Sequence, residues 1–319
     1  MSTQLLRQLA CAEMTQFVTG PVRVRVPATS ANLGPGFDTL GLALDFHDDL
    51  VGEVLDSGLE VEVQGAGAGE VPLDEHHLVV RSMRLAFAAM GVEPTGLRLV
   101  CTNRIPHARG MGSSSAAIVG GIALARALVV DGERRLDDDA VLQLAATEEG
   151  HPDNVAPAVY GGFVVAGRAG DRFFSVNIEV DPRIRTVVMV PDQPLSTEVA
   201  RSLLPEVVPH ADAATNAGRA ALLVAAVSGH PEHLLDATDD LLHQNYREPG
   251  MPESLSLMRA LREQGEAAII SGAGPTVLVF TTASTDAGLD AILRRCPTGW
   301  QAHDLAIARR GVHRVPVLA

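Results

Sequence analysis

Val22-Arg23-Val24-Arg25-Val26 and Leu59-Glu60-Val61-Glu62-Val63 alternate apolar and polar residues strictly, and Leu97-Arg98-Leu99-Val100 repeats that period. Successive side chains of a strand point to opposite faces, so each stretch reads as a strand with one side in the core and the other in water. Helical patterns lie between them. Residues His77 to Met90 place Leu78, Leu85 and Ala89 at helical spacing, and Gly91 suits a left-handed stop. A second helix runs from Ser114 to Val130, rich in Ala and Leu. A third ends near Gly150, because Pro152 restricts the residue before it. Strands of alternating pattern, covered by helices on one face, define an α+β fold.

At 319 residues the chain exceeds what one core usually fills, so two domains are expected. A short strand, Gly162-Phe163-Val164-Val165-Ala166, precedes a polar Gly/Arg stretch over 167–172, and the division into 18–170 and 171–319 is placed there. Beyond it come a strand over 185–190 and helical patterns near 197–204, 212–228, 232–243 and 253–264. Two apolar runs, Ala267 to Ile270 and Thr276 to Phe280, then flank a Ser-Gly-Ala-Gly-Pro turn. Residues 1 to about 18 carry no capping or turn signal and read as a tail.

Composition removes several classes of function. All 25 basic residues are arginine. Without lysine there is no Schiff base, no pyridoxal-phosphate chemistry, and neither the Walker-A nor the protein-kinase way of holding ATP phosphates. A formal net charge of −14 argues against a nucleic-acid-coating surface. Cys11, Cys101 and Cys296 are far apart and form no C-x-x-C pair, which speaks against a zinc site or a disulfide framework. No basic region followed by an apolar run opens the sequence. The longest apolar stretch, Ala116 to Val130, is interrupted by Arg126 and is short of the roughly 20 residues of a membrane span. A soluble cytoplasmic protein with neither nucleic-acid nor membrane partners is expected.

The most informative segment is Ile105-Pro106-His107-Ala108-Arg109-Gly110-Met111-Gly112-Ser113-Ser114-Ser115-Ala116-Ala117, between a strand and an Ala-rich helix. Two glycines two apart allow close backbone approach, and the serines open a helix whose free N–H groups and dipole favour an anion. A triphosphate fits that cradle, with a serine hydroxyl available to magnesium; a tight turn with a serine cap is the plainer alternative. Gly65-Ala66-Gly67-Ala68-Gly69-Glu70 imitates a dinucleotide fingerprint, but Pro72 and Asp74 follow where a helix should, so it reads as a loop.

Residues Pro106 to Ala117 resemble the second signature of the GHMP small-molecule kinases, with Met111 in place of leucine. Pro27-Ala28-Thr29-Ser30-Ala31-Asn32-Leu33-Gly34-Pro35-Gly36-Phe37-Asp38 resembles the first signature in its homoserine-kinase form, and Ser271-Gly272-Ala273-Gly274-Pro275-Thr276 the third. Glu149-Gly150-His151-Pro152-Asp153-Asn154-Val155-Ala156-Pro157 is similar to a stretch typical of the homoserine kinases in that family. The resemblance implies two α+β domains: residues 18–170, like the second domain of ribosomal protein S5 and binding ATP, and a ferredoxin-like domain over 171–319. It implies ATP and Mg2+ as cofactors, L-homoserine as the substrate and a homodimer by family habit. The rivals are a GHMP kinase for another small alcohol and a catalytically silent ligand-binding regulator on the same fold.

The resemblance also assigns residues. ATP would lie against Pro106, Arg109, Gly110, Met111, Gly112, Ser113, Ser114 and Ser115, with His77 either lining the base pocket or capping its helix. Arg201, one helical turn after Thr197 and on the same face, would grip the substrate carboxylate together with Arg247, since forked guanidiniums suit carboxylates. Asn32 and Asp38 would face the ammonium and hydroxyl end. Asn154 stands where several relatives place an aspartate base, so it would orient the hydroxyl without accepting its proton. Catalytic roles thus fall to Asn154, Arg201 and Thr197. Homoserine kinases commonly read Glu-x-Glu-Gly-His before this asparagine, whereas this chain reads Thr147-Glu148-Glu149-Gly150-His151. Ser114 would be one magnesium ligand. Either Glu148 or Glu149 supplies another, or the ion relies on Ser114, phosphates and water.

Overall fold

The computed structural model describes residues 16–283 and 285–317. The expected tail lies mostly outside these residues, as does Cys11. Strand β1 (Val22–Ala31) runs five residues beyond its alternating stretch and pairs along its whole length with β2 (Leu40–Leu55). The sequence pattern hid β2, because Asp45, His47, Asp48 and Asp49 interrupt its apolar residues. The polar positions are satisfied from neighbouring segments. Asp49 accepts from Arg25 Nε (3.0 Å) and Arg23 Nε (3.2 Å) across the ladder, while Asp48 Oδ1 accepts the N–H groups of Arg104 and Ile105 (2.6 and 2.9 Å). Such pairing lets acidic residues occupy a central strand.

The C-terminal part of β2 pairs with β4 (Gly96–Asn103), and β3 (Gly58–Gly65) lies parallel to β4 at one edge. The N-terminal part of β2 pairs with β5 (Phe163–Ala169), which forms a hairpin with β6 (Arg172–Ile178). The polar 167–172 stretch is therefore the turn of a hairpin, and the division expected at 170/171 falls inside it. A second sheet holds β7 (Arg185–Val190), β8 (Ala267–Ile270), β9 (Val277–Thr281) and β10 (Gln301–Leu305), antiparallel in the order β10-β7-β9-β8. Strand β11 (His313–Val315) then returns to the first sheet beside β1.

Helices α1 (Leu78–Met90), α2 (Ser113–Leu128), α3 (Asp138–Glu149) and α4 (Val155–Tyr160) accompany the first sheet. Gly91 ends α1 in the left-handed conformation, as its position suggested. The second sheet carries α5 (Thr197–Ser202), α6 (His210–Gly229), α7 (Pro252–Glu263) and α8 (Asp286–Leu293). In the first sheet β3 and β4 keep the one-sided pattern. The second does not: Val187, Met189, Ile270 and Val277 meet Leu255 and Leu261 of α7, while Val188, Ile269 and Leu278 join the larger core with Leu223 and Val227 of α6. Its β8 and β9 are apolar without interruption for that reason. Cys101 is buried in the larger core, where desolvation pushes its thiol up to about 12.

The helical pattern over 232–243 is realised only as one turn, Leu234–Ala237, after a 3-10 turn at Pro231–His233. Its continuation is broken by Asp240, whose carboxylate takes the N–H groups of Leu242, His243 and Gln244 (2.7–3.0 Å). A short acidic side chain competing for backbone donors in this way favours a turn over a helix.

Candidate active site

The loop from β4 into α2 is clamped between the two other glycine-rich segments. Thr29 N–H donates to Met111 O (3.1 Å), Thr276 N–H to Arg109 O (3.2 Å), and Gly272 N–H to Ala31 O (3.0 Å). Ser271 Oγ donates to Gly110 O at 2.6 Å. A Cβ on Gly110 would lie 2.3 Å from Ser271 O, and one on Gly112 would lie 1.9 Å from Thr29 Oγ1; both glycines have positive φ (74° and 69°). Only glycine fits both demands.

This clamp leaves the start of α2 open. Gly112 offers no side-chain cap, and the helix makes its first bond from Ala116 N–H to Gly112 O (2.8 Å). The N–H groups of Ser113, Ser114 and Ser115 meet no acceptor among the described residues. Free donors at the positive end of a sixteen-residue helix are the features that favour an anion. Within the expected nucleotide set, Arg109 and Met111 are engaged by the protein itself. Arg109 directs its guanidinium at the carbonyls of His107 (2.8 Å), Pro191 (3.0 Å) and Asp192, bracing the loop against the second sheet. Met111 is buried in the core, and Pro106 lines neither of the cavities described next.

Two cavities meet at Ser113 and Ser114. One, of about 310 Å³, lies against α1 and is lined by Leu50, His77, Val79, Asn103, His107 and Asp48, among others. His77 is buried with its Nδ1 unpartnered among the described residues. Its pKa is lowered by burial and by nearby His107, which keeps the ring neutral. Burial pushes the Asp48 carboxyl up to about 6 despite its two backbone donors. An apolar slot with polar groups at its wall, one of them the unpartnered His77 Nδ1, suits a heteroaromatic base.

The other cavity, of about 280 Å³, gathers Asn32, Asp38, Asn154, Thr197, Arg201, Arg247, Ser114 and Glu149. Residues separated by more than 200 positions in sequence thus line one pocket. Asp38 and Arg201 form a two-pronged ion pair (2.6 and 3.2 Å). Arg247 is buried and donates Nη1 to Gly272 O (3.0 Å); burial first, then the charge of Arg201, lower its pKa to about 10. It remains a cation at neutral pH. Asn32, at φ 66°, donates to Gly272 O (2.9 Å) and accepts from Asp38 N–H (2.9 Å), so it ties the first signature to the third.

Asn154 Oδ1 accepts from Thr29 Oγ1 (2.8 Å), which leaves its amide nitrogen as the end available to a ligand. Asp153 is buried, with Oδ1 engaged by His151 Nδ1 (2.6 Å) and by Asn154 N–H (3.0 Å). Burial works against the imidazolium of His151, but the hydrogen bond and charge of Asp153, with Glu149 adding, raise its pKa overall. His151, Asp153, Thr29 and Asp48 were not singled out from sequence as site residues. The His-Pro-Asp-Asn run was the available signal for the first two and the Pro27–Asp38 segment for Thr29; nothing local marks Asp48.

Glu149 accepts from Ser114 Oγ (2.9 Å) and Ser115 Oγ (2.8 Å) at the mouth of α2, whereas Glu148 turns away to an ion pair with Arg81 (2.6 Å) and lines neither cavity. A carboxylate beside hydroxyls is an oxygen donor set suited to a hard divalent cation. Among the described residues no group of three or more His, Cys, Asp or Glu assembles.

An open helix start, glycine-clamped from both sides and shared by a base-sized slot and a charged pocket, defines a small-molecule kinase of the GHMP type. Residues 77–162 match the family model described as the GHMP kinases N terminal domain, and the chain belongs to that family. The chain is 52% identical over 303 residues to a homoserine kinase from Streptomyces avermitilis, covering 95% of this chain and 98% of that one. A solved structure of a putative homoserine kinase from Listeria monocytogenes superposes with a TM-score of 0.74 at 33% identity, over 93% of this chain and 99% of that one. The fold is likewise that of a homoserine kinase crystal structure from Cytophaga hutchinsonii, with a TM-score of 0.80 at 24% identity, covering 95% and 98% of the two chains. Within the GHMP kinases, the chain belongs to the homoserine kinase family. The strand order of the second sheet is that of the ferredoxin-like half expected from sequence.

Proposed function

We propose that the protein transfers the γ-phosphoryl group of ATP to the side-chain hydroxyl of L-homoserine, giving ADP and O-phospho-L-homoserine. The observation that carries it is the opening of the α2 N-terminus into the same pocket as Asp38, Arg201 and Arg247. The purine would occupy the slot beside His77, and the phosphates would cross the free amides of Ser113–Ser115. Homoserine would present its carboxylate to Arg201 and Arg247 and its ammonium to Asp38. A zwitterion entering there would exchange the Asp38–Arg201 pair for one ion pair with each residue. In this division of labour, residues 18–170 supply the nucleotide side and the later part of the chain the carboxylate grip.

No carboxylate in the pocket is free to act as a base. Asp153 is held by His151 and its own neighbour's amide, Asp38 by Arg201, and Glu149 by two serines. Asn154 would donate its amide hydrogen to orient the hydroxyl, with Thr29 fixing which end of the amide faces inward. The hydroxyl proton would leave to a phosphate oxygen or water. A loose phosphoryl-transfer transition state needs little basic assistance, so positioning and charge stabilisation supply most of the rate. Ser114 and Glu149 would hold magnesium, whose charge, when bound, offsets that of the phosphates. No helix among the described residues is long and apolar enough to cross a membrane. We take the enzyme to work in the cytoplasm as a homodimer, with small molecules as its partners.

The test is coupled ADP release with L-homoserine, mevalonate, galactose and L-serine offered separately. Turnover with homoserine alone is expected. Turnover with none would leave a silent regulator, and preference for another alcohol would overturn the substrate.

A further inference from the structure

His243 sits in the loop broken by Asp240 and is wholly buried, yet it touches neither cavity. Its two ring nitrogens face opposite chemistry. Nε2 lies 2.7 Å from Gly34 O, a carbonyl that only accepts, so this nitrogen carries the hydrogen. Nδ1 lies 3.1 Å from Arg247 Nη1, which only donates, so this one is bare. Burial and the charge of Arg247 disfavour protonation and outweigh the opposing pull of Asp240. The ring stacks on Phe37 with centroids 5.1 Å apart and planes 28° from parallel. The guanidinium carbons of Arg201 and Arg247 lie 5.5 and 5.6 Å from the centroid of that same phenyl ring. One phenyl plate thus bears both cations of the pocket, and one histidine backs both the plate and the deeper cation.

Arg247 needs this support. Its Nε is buried without a partner among the described residues, so Nη1 alone fixes the fork, through Gly272 O on one side and His243 on the other. We propose that His243 is a positioning residue, whose bare Nδ1 and stacked ring set the direction in which Arg247 and Arg201 meet the substrate carboxylate. This rests on the homoserine reading of the pocket. The loop is itself anchored to the second sheet, where Gln244 Oε1 accepts Ile270 N–H at 2.6 Å. The aim of the guanidiniums is therefore referred to a rigid strand end.

The Oδ1 of asparagine falls near the position of a histidine Nδ1, whereas a glutamine amide reaches toward Nε2. His243→Gln is expected to raise KM for homoserine at least tenfold while KM for ATP stays within twofold, and His243→Asn to recover most of that loss. His243→Leu should resemble the glutamine variant; if it fails to fold, the Asn and Gln pair still decides. Unchanged KM for homoserine in His243→Gln, parallel losses toward both substrates, or an asparagine variant no better than glutamine would each overturn the proposal. Wild-type enzyme inactive on homoserine would instead count against the functional reading.

Discussion

Asp48 offers a test of the site's electrostatics that needs no substrate. The residue is 6% exposed, and burial raises its pKa from 3.8 to about 6. The folded protein therefore holds this proton more tightly than the unfolded chain. Stability contributed by the protonated form is fully present below pH 4 and is lost as pH rises, until the carboxylate is ionised in both states above pH 6. A shift of this size corresponds to about 3 kcal/mol at pH 8 and about half as much at pH 5. Asp48→Asn keeps an oxygen for the N–H groups of Arg104 and Ile105 and removes the charge. Urea unfolding at pH 5, 6, 7 and 8, compared with wild type, should show the variant gaining about 1.5 kcal/mol across that range, more stable at the alkaline end. A difference independent of pH, or one that shrinks as pH rises, would refute a buried carboxylate under desolvation and leave Asp48 an ordinary solvated group.

The remaining predictions concern turnover. Glu149→Gln should raise the magnesium concentration for half-maximal activity about tenfold, whereas Glu148→Gln, facing Arg81, should leave it unchanged; equal effects would remove the Ser114–Glu149 site. Gly112→Ala places a methyl on Thr29 Oγ1 and forces φ 69° on an L-residue, so kcat/KM for ATP should fall at least about a hundredfold. Asn154→Asp should lower kcat about tenfold to a hundredfold by replacing an amide donor with a carboxylate beside Asp153. An aspartate variant as fast as wild type would show that a base is welcome there.

What sequence disclosed and what it hid follow the range of the interactions concerned. The phosphate loop was legible because its chemistry is local: the conformational freedom of Gly110 and Gly112 and the unpaired amides of a helix start are consequences of adjacent residues. The roles of Arg109 and Glu148 were not, since each is decided by a partner far along the chain, Pro191 and Asp192 in one case and Arg81 in the other. Both glutamates were open from spacing alone; only the facing of α3 toward α2 separates them. Strand β2 escaped notice because its acidic run is neutralised by arginines on β1 and amides after β4, contacts that no window of neighbouring residues contains. The mismatch over 232–243 has the same origin. Its apolar spacing is helical, but one carboxylate captures the donors a helix would need.

The return of β11 to β1 gives the molecule a closure that its motif order conceals. A fragment stopped at residue 170 would strip β6 from β5 and β11 from β1, leaving newly unpaired peptide groups along β5 and over Arg23–Arg25 of β1. Strand β1 meets β11 through Arg23–Arg25 and, at its other end, runs into the turn that carries Asn32, so the lost partner supports the same strand that delivers the charged pocket. Excised on its own, the nucleotide-side half should clump instead of gripping ATP, and chimeras that swap it between relatives would need to carry the last strand along.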